Sequence, residues 1–366
     1  MSGVTFPATA SLADLRAHCL ASIRRTFPAH IPLYICAIVF VSATFAIMAA
    51  FHLPMDVSTS LTFLDYIGEF LLLAIPVAAF VRLAILFREG ADEPLARLGQ
   101  WLSGGLVAGE RPGNTFHSVV TFTPLMISFA GLKDQIPHIV PFSWDKTFTH
   151  WDRLLGLGAL PWQRLQPVVG HPAITTALNF NYDLWFIVMF VCLFWQAFSA
   201  KGGLLRQQFL IAFAFAWFIG GNVLAVVFSS AGPCFYGHIF HHDPYAAQMA
   251  YLRATSLHWP VWSVQVQDTL WQSYVTGAGA VSGISAMPSM HVMSSVVMAL
   301  LAMRISRWLA AIVWIFAGLI VIGSVALGWH YAVDSIAGAG LALVFWHLAG
   351  AVARATLKLS APREAG

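Results

Sequence analysis

The chain has 366 residues, 58% of them hydrophobic and only 10% charged, with a net charge of +3 and a mean hydropathy of +0.73. Soluble globular domains carry about a quarter charged residues, so this composition excludes a water-soluble protein and predicts an all-α integral membrane protein. It also excludes a disulfide scaffold, because Cys19, Cys36, Cys192 and Cys234 show no paired spacing and three of them fall in or beside apolar runs.

Residues 1–31 are mixed and polar, lack the pattern of a cleavable signal, and read as a cytoplasmic segment. Apolar runs near the length of a bilayer crossing then follow at 32–52, 66–87, 116–136, 178–199, 207–229, 290–303, 308–328 and 334–353, which predicts eight spans. The third is weakened by Thr115, His117, Ser118, Thr121 and Thr123, and the sixth is short unless it begins in the preceding loop. The basic residues orient the chain with both termini in the cytoplasm. Only Lys133, Lys146, Arg153, Arg164 and Arg253 then fall outside, although the two longest loops, 137–177 and 230–289, lie there. The expected layout is the segment 1–31, two additional spans and a cytoplasmic loop over 32–115, a six-helix unit over 116–353, and a cytoplasmic tail at 354–366. The absence of an Asn-x-Ser/Thr sequon fits a bacterial inner membrane.

In the first outer loop Phe148, Trp151, Leu154, Leu155 and Trp162 are interrupted by Asp152, Arg153 and Arg164. That pattern predicts a helix in the headgroup plane, read as an interfacial anchor in preference to a substrate lid. The second outer loop ends in a glycine-rich run, Thr276 to Gly283, whose backbone can approach an anion or serve as a flexible linker. His238, His241, His242 and Asp243 lie together but lack ligand spacing, so no metal is expected there. Glu69 and Asp183 lie near outer span ends, placed either to reach a cavity or to be solvated at the interface, and Gly338 and Gly340 allow close packing of the last helix.

Two stretches carry the chemistry: Met287-Pro288-Ser289-Met290-His291 and His330-Tyr331-Ala332-Val333-Asp334. His291 and His330 are 39 residues apart, which is one crossing out and one back at about 20 residues each, so both emerge on the same face. Pro288-Ser289 is a helix start signal, and a helix N-terminus suits an anion. His330 and Asp334, at i and i+4, share a helix face. The carboxylate can hold one imidazole nitrogen in its N–H form and leave the other as a nucleophile, while His291 serves as proton donor. Attack on phosphorus through a phosphohistidine uses all three residues and needs no metal or other cofactor.

These motifs resemble the type 2 phosphatidic acid phosphatase superfamily. Pro-Ser-Met-His, His-Tyr-Ala-Val-Asp-Ser-Ile-Ala-Gly, and Gly232-Pro233 with Tyr236 just after a span are closest to its inositol phosphorylceramide synthase-like branch. The resemblance covers about residues 116–353 and implies a six-helix catalytic core. It implies His330 as nucleophile, Asp334 as its orienter and His291 as general acid and then base. Ser289 and the backbone around it, with Pro288, Gly232, Pro233, Tyr236 and Tyr331, would contact phosphate and substrate. The phosphatase pattern of a Lys followed after six residues by Arg-Pro has no outer counterpart here, and Ser324 stands where that pattern has an Arg six residues before the nucleophile. Fewer basic residues point to a phosphodiester lipid donor and a lipid alcohol, or water, as acceptor, with no nucleic acid partner. The phosphate's cation is then Arg253, Lys146 or Arg153. The rival readings are a lipid-phosphate phosphatase with the same residues, and a non-catalytic lipid or solute carrier with a degenerate site.

Overall fold

A computed structural model of the chain describes residues 11–54, 57–277 and 283–360, and every regular element among them is helical. Helix α1 (Leu12–Ala50) begins well before the apolar run at residue 32. Ser11 caps it: its hydroxyl accepts from the Asp14 N–H, and the Asp14 carboxylate accepts from the Ser11 N–H and hydroxyl. Such a reciprocal box satisfies free donors of the first turn. The expected cytoplasmic segment is therefore helical from residue 12, and α1 packs along α4 (Arg111–Ile139).

Between them, α2 (Val57–Arg88) and α3 (Pro94–Leu106) lie at the flank, α2 against α4 and α3 against α2. Short helices α5 (Asp145–Leu155) and α6 (Pro161–Val169) precede α7 (Pro172–Ala197). Helix α8 (Leu204–Phe215) runs on through a π-helical stretch, Ala216–Leu224, into α9 (Ala225–Val227). The second long loop folds into α10 (Tyr236–Ile239), α11 (Ala246–Ser256) and α12 (Trp262–Thr276). The chain closes with α13 (Met290–Met303), α14 (Arg307–Ala326) and α15 (Ala332–Ser360).

Six described helices are long and apolar enough to cross a membrane: α1, α4, α7, the continuous Leu204–Val227 segment, α14 and α15. The chain is thus a multi-pass, all-α membrane protein. The 32-residue α2 occupies the place of the second expected span. Helix α13 has 14 residues, about 21 Å at 1.5 Å per residue, and does not extend into the preceding loop. The polar residues of the third expected span face inward. His117 Nε2 donates to Ile23 O at 2.9 Å, and its Nδ1 accepts from Tyr34 at 2.8 Å. Arg206, only 4% exposed, donates to Ser118 Oγ at 2.9 Å, Gln196 O at 2.7 Å and His30 Nε2 at 2.8 Å. These bonds compensate groups that would be costly in lipid.

The core is continuous from α8 through α13 to α15, where Phe209, Phe213, Met293, Val297, Ala342 and Phe345 are buried together. Close approach is built in where α15 crosses the start of α13: a Cβ on Gly338 would lie 2.7 Å from Ser289 O, whereas one on Gly340 would meet nothing within 4 Å. Gly338→Ala is therefore expected to cost about 1–3 kcal/mol through forced separation of the helices. Gly340→Ala should be neutral or stabilising by up to about 1 kcal/mol. Thermal unfolding of the purified variants in detergent micelles checks the pair; equal midpoints would contradict the packing described.

Candidate functional site

His330 lies in the turn between α14 and α15, its backbone N–H bonded to Ser324 O at 3.0 Å. Its Nδ1 is 2.8 Å from Ala286 O and 3.4 Å from Asp334 Oδ2. A carbonyl oxygen only accepts, so Nδ1 carries the proton and Nε2 keeps its lone pair. Burial pushes the imidazole pKa down to about 3, which keeps the ring neutral at physiological pH. The i, i+4 pair expected from sequence is present, but the shorter bond goes to a carbonyl 44 residues away in the chain. Asp334 is fully buried; its Oδ2 accepts the Tyr331 N–H at 3.0 Å, and its Oδ1 has no partner among the described residues.

His291 occupies the first turn of α13, which Ser289 caps by accepting the Val292 N–H. Its ring stacks on Tyr182 with centroids 4.3 Å apart and packs 4.1 Å from Trp185. The two histidine rings are 6.1 Å apart in an edge-on arrangement. They meet, as the 39-residue interval requires. Tyr182 lies about 15 Å along α7 from its start, so the pair is sunk into the bundle beneath the end covered by α5, α6 and α10–α12.

Both histidines line one cavity of about 320 Å³, walled by Tyr182, Trp185, Phe186, Trp217 and Trp329, with Lys133 and Asp183 also at its surface. Lys133 donates to Ser285 Oγ, and Asn179 donates to Asp183 Oδ2 at 2.8 Å. The Tyr182 hydroxyl and Trp217 Nε1, on side chains 3% and 6% exposed, have no partners among the described residues. Trp217 belongs to the π-helical stretch, a local irregularity frequent at functional sites.

The wall behind the cavity is held by two carboxylates of α5. Asp145 Oδ1 accepts from the N–H groups of Ala231 at 3.0 Å and Gly232 at 2.9 Å, and from the Tyr331 hydroxyl at 2.7 Å. Burial raises its pKa while these donors lower it. Asp152 accepts from Ala332 N–H at 2.9 Å and Val333 N–H at 3.0 Å, capping the free donors at the start of α15. Burial raises the Asp152 carboxyl to about 7. Gly232 takes a φ of +101° and would bring a Cβ within 2.7 Å of Trp329 O, a place open only to glycine.

Several expectations change. Helix α5 is an anchor only on the side of exposed Trp151, Leu154 and Leu155; its buried side, with Asp145, Phe148, Thr149 and Asp152, braces the site. Pro288, Ser289, Gly232, Pro233, Tyr236 and Tyr331 are absent from the cavity lining and form its supporting wall, where Tyr236 and Tyr331 pack with Phe148, Tyr245 and Met287. The three basic residues considered for the phosphate are engaged elsewhere or distant. Arg253 pairs with Asp268 at 2.7 Å, Lys146 sits 4.9 Å over the Phe240 ring, and Arg153 does not reach the lining. The cation in the cavity is Lys133. Asp183 reaches the cavity, whereas Glu69 is exposed on α2. His238 stacks on Trp271, and Asp243 accepts from the Tyr245 N–H. Most of the glycine-rich run, residues 278–282, lies outside the described residues, and Gly283 passes over Lys133. The sequence did carry a signal for the bracing acids. Asp145 and Asp152 are two helical turns apart, hence on one face, but only the fold shows what they face.

A helical membrane bundle that sinks ionisable side chains into an aromatic cavity defines a class, the multi-pass membrane proteins with an internal polar site. More specifically, the chain belongs to the PAP2 superfamily, whose model matches residues 146–348, more than half of the chain and all of His291, His330 and Asp334. Membership makes it a phosphatase-type enzyme, a lipid phosphatase or phosphotransferase. No curated protein and no solved structure matches the chain.

The bracing bonds rank in strength. Tyr331→Phe removes one donor from Asp145 and should cost about 1 kcal/mol. Asp145→Ala leaves three buried donors unpaired, at about 1–3 kcal/mol each, and should destabilise far more. Thermal midpoints in detergent check the order; equal losses would show that Asp145 does not tie the wall together.

Proposed function

We propose that the protein is a lipid phosphotransferase that moves a phosphoryl headgroup from a phospholipid to a lipid alcohol at the non-cytoplasmic face, as in the inositol phosphorylceramide synthase-like branch its motifs resemble. The observation that carries this reading is the state of His330, a buried neutral imidazole with Nδ1–H bonded to Ala286 O and Nε2 free.

Nε2 attacks phosphorus, and the bond from phosphorus to the glycerol oxygen of the donor breaks. His291, as the imidazolium, gives a proton to that oxygen and becomes neutral, and diacylglycerol leaves while the headgroup phosphate remains on His330. The acceptor hydroxyl then attacks, His291 takes back a proton, and the phosphorus–nitrogen bond breaks. Asp334, 3.4 Å from Nδ1, stabilises the positive charge that His330 gains in each transition state. Lys133 balances the phosphate. A single cation matches a phosphodiester, with one negative charge, better than a phosphomonoester with nearly two. The distribution of Lys and Arg along the chain supports placing the cavity on the periplasmic side of a bacterial inner membrane, with both termini cytoplasmic.

Purified protein in liposomes with labelled phospholipid and a lipid alcohol tests the reading. The expected result is a new labelled lipid and an acid-labile phosphoenzyme that vanishes in His330→Ala. Release of inorganic phosphate without a lipid product would favour the phosphatase, and a transport activity untouched by His330→Ala would refute catalysis. His291→Ala should slow turnover of natural lipid by about 10²–10⁴-fold and an activated aryl phosphodiester far less, because its leaving group needs no proton.

The pH dependence has a definite sign. A depressed His330 pKa leaves the nucleophile neutral above about 3, so phosphoenzyme formation should persist through the ordinary histidine value of 6.5 as pH falls. Rapid-quench measurements between pH 7.5 and 5.5 check this; a loss centred on 6.5 would show that the nucleophile is not held as described.

A further inference from the structure

The cavity lining holds a basic and an acidic side chain, Lys133 and Asp183, beside the two histidines. Among the described residues they do not pair: the Lys133 ammonium donates to Ser285 Oγ, and Asp183 Oδ2 accepts from Asn179. Each group thus lines an aromatic cavity with a neutral hydrogen-bond partner among the described residues, an arrangement that a ligand group of opposite charge would improve.

We propose that Asp183, in a cavity whose lining includes the aromatic residues Tyr182, Trp185 and Phe186, forms a subsite for an ammonium group, so that the preferred donor is a zwitterionic phosphodiester lipid bearing ethanolamine or choline. The proposal rests on the phosphotransferase reading above and names its substrate. A zwitterion satisfies Lys133 and Asp183 at once. Its phosphate lies toward Lys133 and His330; its ammonium meets the carboxylate and the ring faces, which attract cations. An anionic donor such as phosphatidylglycerol or phosphatidylinositol satisfies Lys133 but leaves Asp183 uncompensated. The inositol headgroup that the motif resemblance implies is therefore disfavoured by this cavity. Because the headgroup stays on His330 after the diacylglycerol leaves, the subsite also holds the intermediate in place for the acceptor.

The test uses the full-length protein in nanodiscs with donors of identical acyl chains: phosphatidylethanolamine, phosphatidylcholine, phosphatidylglycerol, phosphatidylinositol and phosphatidate. The expected kcat/KM for the better zwitterionic donor exceeds that for every anionic donor by at least about tenfold. Asp183→Asn should shrink that ratio at least about tenfold, and Asp183→Glu should restore most of it. Preference for an anionic donor would overturn the subsite while leaving phosphotransfer intact, as would equal loss of all donors in Asp183→Asn. No turnover of any donor would overturn the phosphotransferase reading itself. Comparison of phosphatidylethanolamine with phosphatidylcholine identifies which ammonium group the subsite takes.

Discussion

Two buried carboxylates on a short helix outside the bundle hold the site together. Asp145 gathers the backbone of residues 231–232 and the Tyr331 hydroxyl, and Asp152 caps the start of α15. His330 and Asp334 flank Tyr331, Ala332 and Val333, and Ala286, whose carbonyl fixes the His330 tautomer, bonds its N–H to Ser230 O just before residues 231–232. Backbone N–H groups at a helix start are free donors, and in a dry environment a carboxylate is a strong partner for them. The histidine that faces the cavity is thus positioned from behind, by bonds that never touch the cavity.

The cavity owes its chemical character to exclusion of water. Aromatic walls and burial suppress protonation of His330, keeping neutral an imidazole that would be largely cationic at mildly acidic pH in solvent. Lys133 and Asp183 line the same cavity, each with a neutral hydrogen-bond partner. Tyr182 links the two roles: its ring stacks on His291 while its neighbour in sequence, Asp183, faces the ligand space.

The remaining helices supply rigidity at the opposite end. Arg206, at the start of α8, is satisfied by carbonyls, a hydroxyl and His30 from α1, α4 and α7. This fastens the additional N-terminal helix to the six-helix unit. It also explains why the third apolar run is so polar: His117 and Ser118 face protein, not lipid.

Much of this was legible in the amino-acid sequence because the governing rules are local. Hydropathy set the membrane class, helical spacing paired His330 with Asp334, and the interval between the histidines fixed a common face. Residues 12–31 extend α1 ahead of its apolar run, started by a local capping box and packed on α4. Cavity membership was decided by tertiary structure alone. Lys133 and Ser285 are 152 residues apart, and Asp152 meets Ala332 across 180, so no periodicity relates them. Which lysine faces phosphate, which acid faces solvent and which braces a helix depend on long-range packing, since burial and partners belong to the folded chain and not to its residues one at a time.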